Sequence, residues 1–100
     1  MATKITKLSA EQIDKKLKSL SGWVVNKQKT QLSKAYDFRS YLDGLTFIAR
    51  IAVHAEILHH YPEIELTHTK VKIKLTSAEI KALSKVDFEL ASIIEKISQR

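Results

Sequence analysis

The chain has 100 residues, 44% hydrophobic side chains, no cysteine and a formal net charge of +6. This length predicts a single domain over residues 1–100 with a real core, and the lack of cysteine excludes disulfides and thiolate catalysis. The lysines are spread along the chain, so the charge favours a solvated surface over a nucleic-acid interface. No apolar run approaches the ~20 residues that span a bilayer, and the first residues lack the apolar core of a signal peptide. We therefore expect a cytoplasmic protein without membrane contact.

The first predicted helix begins at Ser9. Ser9 and Gln12 match a capping box, in which each side chain bonds the backbone N–H of the other residue. The apolar face that follows has helical spacing and consists of Ile13, Leu17 and Leu20. Gly22 is the expected stop, because glycine readily adopts the left-handed conformation that follows many helices.

Two short strands around a polar turn are predicted next. The first begins at 23–25, and the segment "NKQKT" at 26–30 has the composition of a turn. In the second strand, Leu32, Tyr36 and Phe38 share one face at a period of two. Lys34 falls on the same face, where an apolar side chain would be expected.

A long helix follows, with Ser40 and Asp43 as a second capping pair. Pro62 is expected to end it, because the residue before a proline avoids helical geometry. Gly44 is small enough to let another element approach closely. The predicted inward stripe comprises Tyr41, Leu45, Ile48, Ala52 and Ala55, broadened by Phe47, Ile51 and Leu58.

The segment "EIELTHTKVKIKL" alternates strictly between apolar and charged residues, which predicts an antiparallel hairpin with one wet face. The last helix is predicted from Ser84 or Lys85 to the C-terminus. The element order is then α-β-β-α-β-β-α. It predicts an α+β fold in which three helices pack on one face of a four-stranded antiparallel sheet.

The stretch "HAEILHHYPEIEL" at 54–66 contains three of the four histidines of the chain. Glu56 and His60 are four residues apart, the spacing of a carboxylate–imidazole pair on one helix face. The same spacing is also common in surface pairs without a catalytic role. His54 and His59 lack the spacing of an H-E-x-x-H zinc site, so no metal site is predicted. The chain has no G-x-S-x-G motif for a serine nucleophile.

The whole pattern resembles the pterin-4a-carbinolamine dehydratase family over about residues 17–98. The segments that carry the resemblance are "LSGW", "LSKAYDF", "FIARIAVHAEILHHYPEIEL", "KVKIKLTSAE" and "LSKVDFELASIIEKI". The family motif A-E-x-x-x-H-H-P matches Ala55, Glu56, His60 and Pro62. The motif K-V-x-I-x-L-x-T-H-E is matched by Lys70, Val71, Ile73, Leu75 and Glu79, and G-L-[ST]-x-x-D by Leu83, Ser84 and Asp87.

The resemblance implies dehydration of a 4a-hydroxytetrahydropterin, such as 4a-hydroxytetrahydrobiopterin, to the quinonoid dihydropterin without a metal or other cofactor. It implies that His60 is the acid–base catalyst and that Glu56 or Asp87 orients it. The pterin would lie between the end of the long helix and the segment after the second hairpin. The substrate-binding residues implied in this way are His59, Tyr61, Pro62, Thr76, Ser77, Ala78 and Glu79.

This chain departs from the family pattern at the proposed site. Tyr61 stands where the family has its second His, and Ala78 stands where it has the His of T-H-E. Ala82 replaces a glycine, and His68 replaces an aromatic residue. Tyr61 can still donate a hydrogen bond and act as a weak acid, whereas Ala78 has no such capacity.

The resemblance also implies a homodimer or homotetramer, since family members form such assemblies. Some members bind a transcription factor through a helical surface, so a protein partner is a further expectation. The alternative function is therefore a non-catalytic member that binds a pterin or a protein as a scaffold. Direct nucleic-acid binding is not expected.

Overall fold

The computed structural model describes residues 5–99 and has the predicted α+β architecture. The helices are α1 (Ala10–Leu17), α2 (Tyr41–Leu58) and α3 (Lys85–Ser98). The strands are β1 (Val24–Val25), β2 (Leu32–Asp37), β3 (Glu63–Thr67) and β4 (Lys70–Leu75). All pairings are antiparallel, in the order β1-β2-β4-β3. The predicted order α-β-β-α-β-β-α is confirmed.

Side-chain caps begin the first two helices at the predicted residues. The Ser9 N–H donates to Gln12 Oε1 over 2.8 Å, and the Gln12 N–H donates to Ser9 Oγ over 3.1 Å. Ser40 Oγ accepts from the Asp43 N–H over 3.0 Å. The predicted stop of α1 is wrong by several residues: the helix ends at Leu17, and Gly22, with φ of 79°, lies in the turn before β1.

The sheet has the predicted buried and wet faces. Val71 and Ile73 of β4 are fully buried, while Lys70 and Lys72, which alternate with them, are exposed on the outer face. Lys72 lies opposite Glu65, and Lys74 lies opposite Glu63, with 3.6 Å between Nζ and Oε2. All three helices contribute to the core that covers the inner face of the sheet. That core contains Leu8, Ile13, Trp23, Leu32, Phe47, Ile51, Val71, Ile73, Leu75, Leu83, Phe88, Leu90, Ala91 and Ile94.

Lys34 lies on the inner face of the sheet, and a carboxylate from α3 meets it there. Its Nζ is 2.5 Å from Glu95 Oε1, which also accepts hydrogen bonds from the Tyr36 hydroxyl and the Trp23 indole N–H. Partial burial by itself raises the pKa of Glu95, but the hydrogen bonds from Lys34 and Tyr36 outweigh it and lower that pKa below its ordinary value. Burial and the same carboxylate raise the pKa of Tyr36. This cluster links β2 to α3.

The inward face of α2 differs from the predicted stripe. Gly44, Phe47, Ile51 and Ala55 are buried, whereas Tyr41, Leu45 and Ala52 are exposed. The prediction was wrong at those three positions because α2 is apolar on two sides, so periodicity alone did not show which side faces the sheet. Gly44 does permit a close approach: a Cβ there would be 3.0 Å from Leu66 Cδ1.

The opposite side of α2 forms an exposed apolar surface, which we call the outer face of α2. It carries Leu42, Leu45, Val53 and Ile57, whose exposed fractions run from 47% to 69%. Exposed apolar side chains are ordinary when scattered singly, but four on one helix face form a patch. Within residues 5–99 no helix has both the length and the hydropathy needed to cross a bilayer.

Candidate functional site

The end of α2 directs His60 away from the helix. The last helical residue is Leu58, and His59 takes a left-handed conformation with φ of 51° and ψ of 41°. The N–H of His60 then donates to the Ala55 carbonyl over 3.0 Å, which closes the helix end. The helix therefore stops before His60, and its last residue is four positions before Pro62. The prediction that Glu56 and His60 share a helix face was wrong for this reason.

His60 pairs with Asp87, which is the second of the two carboxylates that the sequence offered. His60 Nε2 lies 2.5 Å from Asp87 Oδ1. The His60 side chain is 12% exposed and that of Asp87 is fully buried. Because Nε2 is engaged by the carboxylate, Nδ1 is the ring nitrogen left for a ligand. A buried carboxylate against one ring nitrogen is the usual support for a histidine that acts as a general acid or base.

The beginning of α3 fixes the position of Asp87. Asp87 is the third residue of the helix, and its Oδ2 accepts the N–H of the capping residue Ser84 over 2.9 Å. The same oxygen accepts the Ser77 hydroxyl over 2.8 Å. The helix start at Ser84 or Lys85 was predicted, and Asp87 was one of two carboxylates expected to orient His60; the hydrogen bonds that hold this carboxylate were not predicted. Only tertiary packing reveals which carboxylate meets His60, since Asp87 and His60 are 27 residues apart.

Glu56 contacts Tyr61 instead of His60. The Tyr61 hydroxyl donates to Glu56 Oε2 over 3.2 Å, and Tyr61 is 61% exposed. Partial desolvation and the negative charge of Glu56 raise the pKa of the Tyr61 phenol above its ordinary value. Tyr61 thus stays protonated at neutral pH and is a weaker acid than a free phenol. His59 is exposed, and Pro62 is half-buried.

The segment after β4 was expected to present hydroxyl groups to a substrate. Thr76 instead donates its hydroxyl to the Thr30 carbonyl over 2.6 Å, and Ser77 is buried with its hydroxyl directed to Asp87. Both donors bond inside the protein, and substrate binding by Thr76 and Ser77 stays a prediction. Ala78 and Glu79 are exposed.

A shallow pocket lies beside this segment. Its volume is about 480 Å³, within the range of small-molecule sites. It is lined by Asn26, Thr30, Gln31, Thr76, Ala78 and Lys81. Ala78 thus borders open space large enough for a ligand or for a bulkier side chain. Among residues 5–99 no group of three His, Asp or Glu side chains converges as a metal site requires.

Comparisons with a family profile and with individual sequences point to the same family. The family profile described as Pterin 4 alpha carbinolamine dehydratase matches residues 6–97. A relative from Rhizobium rhizogenes, named "Putative pterin-4-alpha-carbinolamine dehydratase", is 33% identical over 97 residues, which are 97% of this chain and 96% of the relative. A relative of the same name from Nostoc punctiforme is 31% identical over 90 residues, covering 90% and 95% of the two chains.

Two solved structures share the fold at 22% sequence identity. A protein from Brucella melitensis described as a transcriptional coactivator/pterin dehydratase has a TM-score of 0.89 and covers 93% of this chain and 99% of its own. A pterin dehydratase-like protein described as a RuBisCO assembly factor in the alpha-carboxysome has a TM-score of 0.67, covering 78% and 90%. The profile match, the relatives and the fold agree: the chain belongs to the pterin-4a-carbinolamine dehydratase family.

Proposed function

We propose that this protein dehydrates a 4a-hydroxytetrahydropterin to the quinonoid dihydropterin, as a lyase in pterin cofactor recycling in the cytoplasm. The observation that carries the proposal is the His60–Asp87 pair, in which the imidazole is held by a buried carboxylate at 2.5 Å. Asp87 orients the ring and stabilises its charged form during proton transfer. His60 is then the acid–base catalyst.

The reaction requires two proton movements, and one imidazole can perform both. The imidazolium form of His60 donates the Nδ1 proton to the 4a-hydroxyl while the C4a–O bond breaks and water leaves. The lone pair of N5 forms the new double bond to C4a. The neutral imidazole then takes the proton from N5, which restores the starting state and balances the loss of one water molecule.

The proposed position of the pterin is between the end of α2 and the segment 76–79. Tyr61 follows His60 in the chain and exposes its ring, and the pocket that Ala78 borders lies on the segment after β4. Backbone groups of Ala78 and Glu79 are available for the polar edge of the pterin. Neither Tyr61 nor Ala78 can replace a neutral-pH acid–base group, so we expect a slower catalyst than a site with three histidines.

A stopped-flow assay tests the proposal. The 4a-hydroxytetrahydropterin is generated in the instrument, and the rate of quinonoid dihydropterin formation is compared with a no-enzyme control, because the reaction also proceeds without catalyst. We expect a rate that rises linearly with protein concentration and that EDTA does not change. A rate equal to the control at micromolar protein, together with no pterin binding by equilibrium dialysis, would overturn the proposal.

The second candidate function is a protein-interaction scaffold, which the outer face of α2 favours. This face exposes four large apolar side chains. The assembly-factor description of one structural neighbour fits such a role. If the scaffold function is the correct one, substitution of His60 should leave partner binding unchanged, whereas a charge on the outer face should abolish it.

A further inference from the structure

Two buried serines contact Asp87 of the His60–Asp87 pair. Ser77 and Ser84 are each 2% exposed, and their Oγ atoms are 2.7 Å apart. A serine hydroxyl has one proton to donate. Since Ser77 gives its proton to Asp87 Oδ2, the Ser84 hydroxyl must donate to Ser77. The hydroxyl protons are thus ordered in one direction, from Ser84 to Ser77 to Asp87.

As a result, the two carboxylate oxygens of Asp87 have different partners. Oδ2 is held by the Ser77 hydroxyl and the Ser84 N–H, at 2.8 and 2.9 Å, and Oδ1 faces His60 Nε2. Rotation of the carboxylate would break both bonds to Oδ2 inside the core, where no solvent replaces them. The oxygen that meets His60 is therefore fixed in place.

The backbone around Ser77 is itself held on both sides. The Ser77 N–H donates to the Ala82 carbonyl over 2.9 Å, and the Ala82 N–H donates back over 3.4 Å. This isolated bridge closes the turn 77–82 and leaves the Ser77 side chain pointing into the core. The hydroxyl therefore has little freedom to leave Asp87.

We propose that Ser77 is a positioning residue that, through Asp87, fixes which nitrogen of His60 carries the proton and which faces the substrate. This inference rests on the proposed function and deepens it. Ser77 touches no reacting atom; it acts on the orientation of the carboxylate.

Three substitutions at this position test the inference. Ser77→Ala deletes the hydroxyl, Ser77→Thr keeps it, and Ser77→Cys replaces it with a weaker donor of similar size. The two measurements are kcat and KM in the stopped-flow assay, and the ¹⁵N chemical shifts of the His60 ring, which report its tautomer. The His60 signals are assigned by their loss in His60→Gln.

For Ser77→Ala we expect kcat to fall about tenfold, which is the size of loss found when a residue that hydrogen-bonds and orients a ligating side chain of a metal site is removed. KM should change less than twofold. The Nδ1 and Nε2 shifts should move towards each other as the two tautomers mix. Ser77→Thr should restore kcat and the shifts, and Ser77→Cys should lie between. If Ser77→Ala does not fold, Ser77→Cys replaces it: kcat should fall and the ¹⁵N shifts should move in the same directions, both by smaller amounts.

Ser84→Ala is the matched comparison. Ser84 is as buried as Ser77 and loses one hydroxyl, but its backbone N–H remains on Asp87. Ser84→Ala should lower the free energy of unfolding about as much as Ser77→Ala does. It should reduce kcat less, and the ¹⁵N chemical shifts of His60 should stay at their wild-type values. Equal shifts in both variants, or none in either, would overturn the inference.

The two readouts separate this inference from the proposed function. If the wild type has no dehydratase activity, the proposed function fails, and the ¹⁵N shifts of His60 in Ser77→Ala still decide whether Ser77 positions the ring. If the wild type is active and the folded Ser77 variants keep the wild-type kcat and shifts, the positioning role is wrong while the proposed function stands.

Discussion

At the scale of single residues, the acid–base capacity that we propose for the site rests on His60. Asp87 supports it, while Tyr61 is directed to Glu56 and has a raised pKa. Ala78 contributes no proton donor and leaves space beside the segment after β4. The departures from the family motif therefore affect the number of proton donors, whereas the His60–Asp87 pair is intact.

Ala78→His is expected to raise the dehydration rate. The backbone at 78 is exposed and borders the pocket, so an imidazole fits there without displacing core atoms. The gain should be roughly threefold to tenfold, because a complete general acid–base catalyst contributes about 10²–10⁴-fold. The stopped-flow rate over background measures it. Ala78→Gln has a similar size without an imidazole, and an equal gain in that variant would refute the acid–base explanation.

At the scale of elements, the ends of helices set the geometry of the site. The start of α3 presents Asp87, and the left-handed turn at His59 presents His60. Alternating charge and apolar residues predicted both hairpins, and the Ser caps predicted the helix starts, because these signals are local in sequence. The turn at His59 was not predictable, since Gly or Asn is the usual signal for that conformation.

The His60–Asp87 contact itself was only half predictable. The family motif named both residues but gave Glu56 as an equal candidate for the partner of His60. The choice depends on where α2 ends and on how α3 packs beneath it, and both are properties of the folded chain. The same reason explains the error in the inward stripe of α2. The helix is apolar on two sides, and the sequence does not indicate which side faces the sheet.

His59→Gly should stabilise the end of α2. The residue has φ of 51°, a conformation that costs a non-glycine residue free energy and glycine almost none. We expect the free energy of unfolding in urea to rise by about 0.5–1 kcal/mol. Ala52→Gly is the control inside the same helix and should lower it by about 1 kcal/mol. A loss of stability in both variants would contradict the strain at His59.

Glu95→Gln should weaken the link between β2 and α3. Lys34 would lose its charge partner in a half-buried setting, so we expect a loss of about 1–3 kcal/mol at neutral pH. Because the folded-state pKa of Glu95 is lowered, its stabilising effect is full above the unfolded value of 4.5 and is lost as the pH falls through the folded-state pKa.

Urea unfolding of wild type and Glu95→Gln from pH 7 to pH 3 measures this effect. The difference in free energy between the two proteins should be constant from pH 7 to about pH 5 and should shrink below that. Glu89→Gln, on the exposed side of the same helix, should behave like wild type at every pH. A difference that grows in acid would contradict the assignment.

At the scale of the whole molecule, the outer face of α2 is the surface that a single copy leaves uncovered. A chain of 100 residues has a limited core, and contacts between copies can add to its stability. We expect a homodimer or homotetramer with this face in the contact.

Val53→Lys tests the assembly. A charge in the middle of the outer face should be costly to bury against another copy. Light scattering at micromolar concentration should give a dimer or tetramer for the wild type and a mass near 11.4 kDa for the variant. Gln28→Lys adds the same charge in the exposed β1–β2 turn and should keep the wild-type mass. A wild-type monomer at this concentration would refute the expected assembly.

The most direct test of the central claim is the dehydration rate of His60→Ala. This variant removes the imidazole but keeps Asp87 and the pocket, and general acid–base groups contribute about 10²–10⁴-fold. The rate over the no-enzyme background should fall at least tenfold. The control is His54→Ala, which changes a histidine within α2, six residues before His60, and should keep the wild-type rate. A folded His60→Ala protein with the full wild-type rate would show that His60 is not the acid–base catalyst.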